Sequence, residues 1–206
     1  MAQIYFCDMT KFEHLYEDCL CFLPEKRKQK AEKYINKNDA LLSATAGLML
    51  RKVLGVDEDG KLKYNEHGKP FVEHGPCFSI SHSRKYSVLT VSENEIGIDI
   101  EMHESAKEAV IKRCFAEEEQ FFAKMSTENF LRIWTAKEAV LKLLGTGFSF
   151  SPKSFSVLPL DEEHEINGVK MRFFCETIGE APFTAAYCGD ENKFEIREFL
   201  PEDLLF

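Results

Sequence analysis

The sequence predicts an α+β fold in two halves of similar element order, and three observations carry this. Short β-branched and aromatic runs, CFSISHS (77–83), YSVLTVS (86–92) and IGIDIE (96–101), cluster at the middle of the chain. Two long segments rich in helix formers, 40–54 and about 107–144, flank them. Each half then reads strand, helices, strands, although no residue-level repeat accompanies that order. The turn at ENEIG (93–97) divides 1–95 from 96–206, two halves of one compact unit.

The elements follow in order. Ile4–Cys7 has strand character. Pro24 opens PEKRKQKAEKYI, where proline suits the first turn of a helix. Asp39 is placed to cap ALLSATAGLMLRKVL (40–54), which Gly55 ends. Gly68 and Pro70 punctuate before the two central strands. In the second half Gly145 and Gly147 stop the helical region, and SFSVL, VKMRFFCET and PFTAAYC read as strands.

The chain has 206 residues, with eighteen Phe and one Trp, enough for a sizeable core. A net charge of −9 offers no bulk attraction for polyanions, so any phosphate must be held by local cations. No run of about eighteen apolar residues spans a membrane. MAQIYFCDMTKF does not read as a signal peptide, and seven irregularly spaced cysteines read as reduced thiols, so the expected location is the cytoplasm.

The chemistry is concentrated in three segments. In IGIDIE the side chains alternate, so Asp99 and Glu101 share a face. Two adjacent carboxylates repel unless a cation lies between them, and a hard oxygen-seeking metal is one such cation; an exposed polar edge strand is the alternative. In WTAKEAVLK, Trp134, Glu138 and Lys142 follow one side of a helix at i, i+4, i+8. A plain Glu–Lys pair supporting the helix would look the same. Lys69 and Pro70 stand in a stiff turn, and Ser79, Ser81 and His82 follow in a strand, a set of donors that suits phosphate oxygens as well as a plain hairpin. A Ser-His-Asp hydrolase is disfavoured, because the G-x-S-x-G elbow is missing.

The order of these segments is more specific than any one. G-K-P, S-H-S, I-G-I-D-I-E, F-x-x-x-E (Phe115 to Glu119) and W-T-A-K-E-A-x-x-K-x-x-G-x-G, over roughly residues 68–147, resembles the signature of the Sfp-type 4′-phosphopantetheinyl transferases. PEKR at 24–27 resembles the family too. The resemblance implies a pseudo-dimeric α+β fold with coenzyme A at the junction of the halves. It implies Mg2+ on Asp99, Glu101 and Glu138, and contacts to coenzyme A from Lys26, Lys69, Pro70, Ser81, His82, Lys137 and Lys142. It further implies a monomeric enzyme whose acceptor is a serine of an apo acyl or peptidyl carrier protein in fatty acid, polyketide or nonribosomal peptide synthesis. Glu138, Lys142 and Asp99 are then the catalytic candidates. One departure stands out: members often carry a basic residue after the Asp-Ala step, where this chain has Leu41-Leu42-Ser43 after Asp39-Ala40, with Lys28 and Lys30 as possible substitutes.

Three other readings compete. A carrier-gripping module without catalysis is disfavoured by the intact carboxylates and lysines. A nucleic-acid binder using Lys26, Arg27, Lys28, Lys30 and Lys33 is disfavoured by the net charge and the lack of stacking aromatics there, so no nucleic acid and no membrane partner is expected. A metal-dependent phosphohydrolase would share Asp99 and Glu101. For the carrier, Lys112 and Arg113 beside Ile111, Phe115, Phe121 and Phe122 form a candidate docking spot, unless these aromatics are core.

Overall fold

A computed structural model describes residues 1–102, 105–189 and 193–205. Strand β1 (Ala2–Asp8) leads through a 3-10 turn into α1 (Tyr16–Cys21), α2 (Glu25–Glu32) and the long α3 (Lys37–Leu54). The cap of α3 is Asn36, whose side chain accepts from Asn38 N at 2.8 Å, so the helix starts one turn earlier than Asp39 suggests. A short hairpin, β2 (Leu62–Tyr64) with β3 (Pro70–Val72), precedes β4 (Cys77–Ser83) and β5 (Tyr86–Ser92).

The second half starts with β6 (Ile96–Ile100). The predicted helical region divides into α4 (Glu108–Cys114), α5 (Glu117–Met125) and α6 (Thr127–Leu144), and β7 (His164–Ile166), β8 (Val169–Ile178) and β9 (Ala181–Tyr187) follow. The chain ends with β10 (Phe194–Glu198) and α7 (Pro201–Leu205). SFSVL is not a strand: it falls in a 3-10 turn and loop, with its Phe155 amid the second core.

Two four-stranded sheets form, in the orders β10-β1-β5-β4 and β6-β9-β8-β7. The division at residue 95 therefore needs one correction. β10 pairs parallel with β1, and Leu204 and Leu205 of α7 pack into the core around α3, so the last stretch of chain returns to the first half. Long-range parallel pairing leaves no local mark in a sequence.

A row of hydroxyls joins the sheets. Ser79, Ser81 and Ser83 alternate along one face of β4. Ser79 Oγ accepts from Ile98 N at 3.0 Å, Ser81 Oγ donates to Asp99 Oδ1 at 2.7 Å, and Ser83 Oγ donates to Glu101 Oε1. Buried serines hydrogen-bonded to β6 and to Glu101 just beyond it fix the position of β6 against β4.

Gly97 sets the other neighbour of β6. A Cβ there would lie 2.1 Å from Ala139 O and 2.4 Å from Leu143 N, so only glycine lets α6 lie this close to the strand. The close approach brings α6 over Asp99. Gly145, at φ +66°, then ends α6 in the left-handed conformation.

Candidate active site

Asp99 is buried on β6, and its Oδ1 accepts from Ser81 Oγ at 2.7 Å and from Lys142 Nζ at 2.6 Å. Lys142 also donates to Ser81 Oγ at 2.7 Å, which closes a three-membered ring of contacts. Burial pushes the Asp99 carboxyl above its ordinary value, and the Lys142 ammonium opposes that rise. Glu138 lies one turn before Lys142 on α6. Burial, then the negative charge of Asp99, raise its carboxyl to about 7; Lys142 opposes the rise and Glu101 adds to it. Lys142 thus pairs directly with Asp99 and only partly offsets the burial and negative charge that act on Glu138.

Two cavities meet at Lys142. One, about 240 Å³, is lined by Arg27, Lys30, Tyr34, Ser43, Ser81, His82 and Lys142. Its three cations give a polyanion the local attraction that the net charge denies it. Arg27 Nε and Ser43 Oγ are buried and have no hydrogen-bond partner among the described residues. Buried donors are seldom left unpaired, so this cavity is built for something that accepts. His82 opens to solvent on one side, but withdrawal of the ring from water, with the Lys142 and Lys30 ammoniums, holds its imidazole below the usual range. The second cavity, about 190 Å³, is lined by His67, Lys69, Pro70, Phe78, Glu138, Lys142 and Phe148 among others, a mainly apolar slot with a polar wall.

The structure places most of the sequence-predicted residues near one another. Asp99, Glu138, Lys142, Ser81, His82, Lys69 and Pro70 all line these cavities or the ring between them. Lys69 is already engaged, its ammonium 2.7 Å from Glu95 Oε2 and 2.8 Å from Leu143 O. There it serves the carbonyl end of α6, where a cation opposes the helix dipole. Lys26 does not line the cationic cavity: its side chain is exposed, and its backbone N donates to Asp59 Oδ1 at 3.0 Å. Arg27 and Lys30 stand in the cavity instead.

Lys137 requires a correction. It was expected at a phosphate, but it is fully buried, away from both cavities. Its ammonium donates to Pro152 O at 2.7 Å and Phe155 O at 2.6 Å and pairs with Glu119 at 2.8 Å, over the face of the Phe155 ring. Successive helix residues point about 100° apart, so a lysine next to Glu138 faces the core when Glu138 faces the site. Glu119 accepts from Ala116 N and Val157 N, both at 2.7 Å, so the F-x-x-x-E glutamate ties α5, α6 and the following loop together.

The pattern of the 4′-phosphopantetheinyl transferase superfamily matches residues 95–189. A 4′-phosphopantetheinyl transferase of Bacillus subtilis is 32% identical over 151 residues, 68% of this chain and 67% of that protein. The chain belongs to the 4′-phosphopantetheinyl transferase superfamily. The transferase gsp of Aneurinibacillus migulanus is 30% identical over 152 residues, 69% of this chain and 64% of that one. HetI of Nostoc sp. is 36% identical over 124 residues, 51% and 52% of the two chains. The matched region thus spans about two thirds of the length of the first two of these relatives.

The superfamily implies a divalent cation, and the residues present fit one by donor type and charge. Asp99, Glu101 and Glu138 offer only oxygen, the donor set of a hard cation. The raised carboxyl of Glu138 marks negative charge that Lys142 alone does not offset. Among the described residues no three carboxylate, imidazole or thiol side chains are grouped closely enough to hold a metal, and the Lys142 ammonium lies 2.6 Å from Asp99 Oδ1.

Proposed function

We propose that the chain transfers the 4′-phosphopantetheine group of coenzyme A to a serine of an apo acyl or peptidyl carrier protein, releasing adenosine 3′,5′-bisphosphate. The observation that carries this is the centre itself: the buried Asp99 carboxylate held by Ser81 and Lys142, with Glu138 beside it, between a cationic cavity and an apolar slot. Phosphates with an attached flat base are the ligand that such a pair of cavities suits. Superfamily membership supports the same reading.

In this reading the Arg27, Lys30 and His82 cavity takes the 3′-phosphate. Arg27 and Ser43 then do the work of the basic residue that Leu41-Leu42-Ser43 omits. Pro70, Phe78 and Phe148 flank the base. Lys142 meets charge that builds on the bridging phosphates as the bond to the pantetheine phosphorus breaks. Glu138, with its carboxyl near 7, accepts the serine proton at neutral pH. Asp99, Glu101 and Glu138 would hold Mg2+, which when bound neutralises phosphate charge. These two roles of Glu138 compete, because a carboxylate shared with a cation is a weaker base.

The two sheets, each joined to helices and meeting along β4 and β6, support a pseudo-dimeric arrangement with the site at the junction. No described helix is long and apolar enough to cross a membrane. Seven free cysteines support a reducing, cytoplasmic setting, and we read the active form as a monomer. The deciding experiment is incubation with coenzyme A, Mg2+ and an apo acyl carrier protein, followed by intact mass. A gain equal to phosphopantetheine is expected on the carrier; coenzyme A hydrolysis without that gain would point to the phosphohydrolase instead.

A further inference from the structure

The β2–β3 hairpin is held at two places that belong to different halves of the chain. At its base, Leu62 and Val72 pack against the core around α3. Among the described strands β2 and β3 pair only with each other, and two strands of three residues are marginal alone. The tip needs a support of its own, and it finds one at the C-terminal end of α6.

Asn65 makes that attachment. Its Nδ2 donates to Gly145 O at 2.8 Å, one of the carbonyls that the end of α6 leaves open. Its Oδ1 accepts from His67 N at 3.0 Å and from Lys69 N at 2.8 Å, and its backbone N donates to Lys69 O at 3.0 Å. One side-chain amide thus shapes the G-K-P turn with its acceptor and seats the turn on the helix with its donor. Gly145 admits the contact: a Cβ there would lie 2.8 Å from Lys69 Cδ and 3.0 Å from Asn65 Nδ2. Lys69 Nζ adds a second bond to the same helix end, to Leu143 O at 2.8 Å. That ammonium rides on a flexible four-carbon stem, whereas the short amide of Asn65 is held on both sides.

The two parts so joined both line the apolar slot. His67, Lys69 and Pro70 come from the hairpin, and Leu141, Lys142 and Gly145 from α6. The bond from Asn65 to Gly145 therefore fixes how far apart these walls stand. Asn65 itself does not line the slot, and it lies outside the segments that carry the chemistry in the sequence.

We propose that Asn65 is a positioning residue for coenzyme A, setting the width of the slot through the wall that Lys69 and Pro70 form. This role rests on the transferase reading, in which the slot takes the base, and adds to it a residue that acts without touching the ligand.

The test is kinetic, with coenzyme A and an apo acyl carrier protein varied in turn. Asn65→Ala loses the donor and the acceptor together. Asn65→Asp keeps an acceptor for His67 N and Lys69 N but turns an oxygen toward Gly145 O, so it loses the seat alone. Each is expected to raise the KM for coenzyme A about fivefold, the worth of one hydrogen bond, and to leave kcat, the KM for the carrier and Tm unchanged. In hydrogen exchange read by peptide mass, residues 62–72 of Asn65→Ala exchange faster, and α3 exchanges as in the wild type. A wild-type KM for coenzyme A in either variant overturns the proposal. A lower Tm with faster exchange along the whole chain overturns it too, since Asn65 would then be a general support of the fold. A wild-type chain that transfers nothing to the carrier ends the transferase reading, and this role ends with it. Variants at wild-type KM, in a chain that does transfer, end this role alone.

Discussion

The ammonium of Lys137 and the carboxylate of Glu119, neither exposed to solvent at all, meet at 2.8 Å immediately behind Glu138. Burial lowers the pKa of the lysine and the glutamate opposes that fall. Two more hydrogen-bonding partners on each side complete the set: Pro152 O and Phe155 O accept from the lysine, and Ala116 N and Val157 N donate to the glutamate. The pair therefore holds α6 in the orientation that sends Glu138 into the site.

Breaking this pair on one side leaves a buried charge without its partner, which costs about 3–5 kcal/mol. Glu119→Gln and Lys137→Met are each expected to lose about that much in urea unfolding. Transfer falls with them through kcat, because Glu138 is displaced, while the Kd for coenzyme A changes little. Were Lys137 a phosphate ligand instead, Lys137→Met would raise that Kd at least tenfold with stability intact.

The metal assignment makes a second prediction. Asp99→Ala and Glu138→Ala each reduce kcat/KM by on the order of 10²–10³, as for loss of one electrostatic group aimed at the reacting centre. Glu101→Ala costs less, since water can replace one oxygen. EDTA stops the reaction, and Mg2+ or Mn2+ restores it. Rescue by zinc alone, or full turnover by Asp99→Ala at saturating Mg2+, would contradict the all-oxygen site.

The raised carboxyl of Glu138 predicts a pH dependence of stability in metal-free protein. Its pKa is about 7 folded and near 4.5 unfolded, so ionisation penalises the folded state fully above about pH 7. The penalty shrinks as pH falls and is gone below about pH 4.5. Glu138→Gln therefore raises Tm at pH 8 and leaves it unchanged near pH 4.5. Mg2+ reverses the order at pH 8, stabilising the wild type and not the variant. A Tm difference that is the same at both pH values would mean that Glu138 is ionised at little cost.

The cationic cavity predicts selectivity. Arg27→Met and Lys30→Ala each remove a donor facing Ser81 and His82, and a hydrogen bond to a charged group is worth about 1.5–3 kcal/mol. Coenzyme A binding is expected to weaken at least tenfold, and binding of its 3′-dephospho form to stay the same. Equal weakening of both would move the 3′-phosphate elsewhere.

Much of the site was legible because its residues carry chemistry at fixed spacing. Alternation put Asp99 and Glu101 on one face, and helical periodicity put Glu138 and Lys142 on another that meets it. What stayed hidden depended on distant contacts. Nothing near Lys137 shows that its partner is Glu119, eighteen residues back, nor that its face is the core. The serines of S-I-S-H-S looked like phosphate donors, yet Ser79, Ser81 and Ser83 spend their hydroxyls on β6. The return of β10 to β1 and the selection of Arg27 over Lys26 likewise follow from tertiary packing.

The last prediction concerns the carrier. This chain is acidic, so an acidic carrier would dock on a local patch rather than through bulk charge. Of the residues grouped there by sequence, Ile111 and Phe115 are core, but Phe121 is exposed, as is Met125 one turn along α5. Arg113 lines a surface cavity with Val110, Trp134 and Phe148, on the same helix as Lys112, whose ammonium is 3.4 Å from Glu108. Apolar anchors beside two cations suit an acidic helix that presents its serine. Lys112→Glu with Arg113→Glu is expected to raise the KM for the carrier several-fold and to leave that for coenzyme A unchanged. Steady-state kinetics with each substrate varied in turn distinguishes the outcomes. An unchanged carrier KM would remove α4 from the docking surface, whereas a raised KM for coenzyme A would assign these cations to its phosphates.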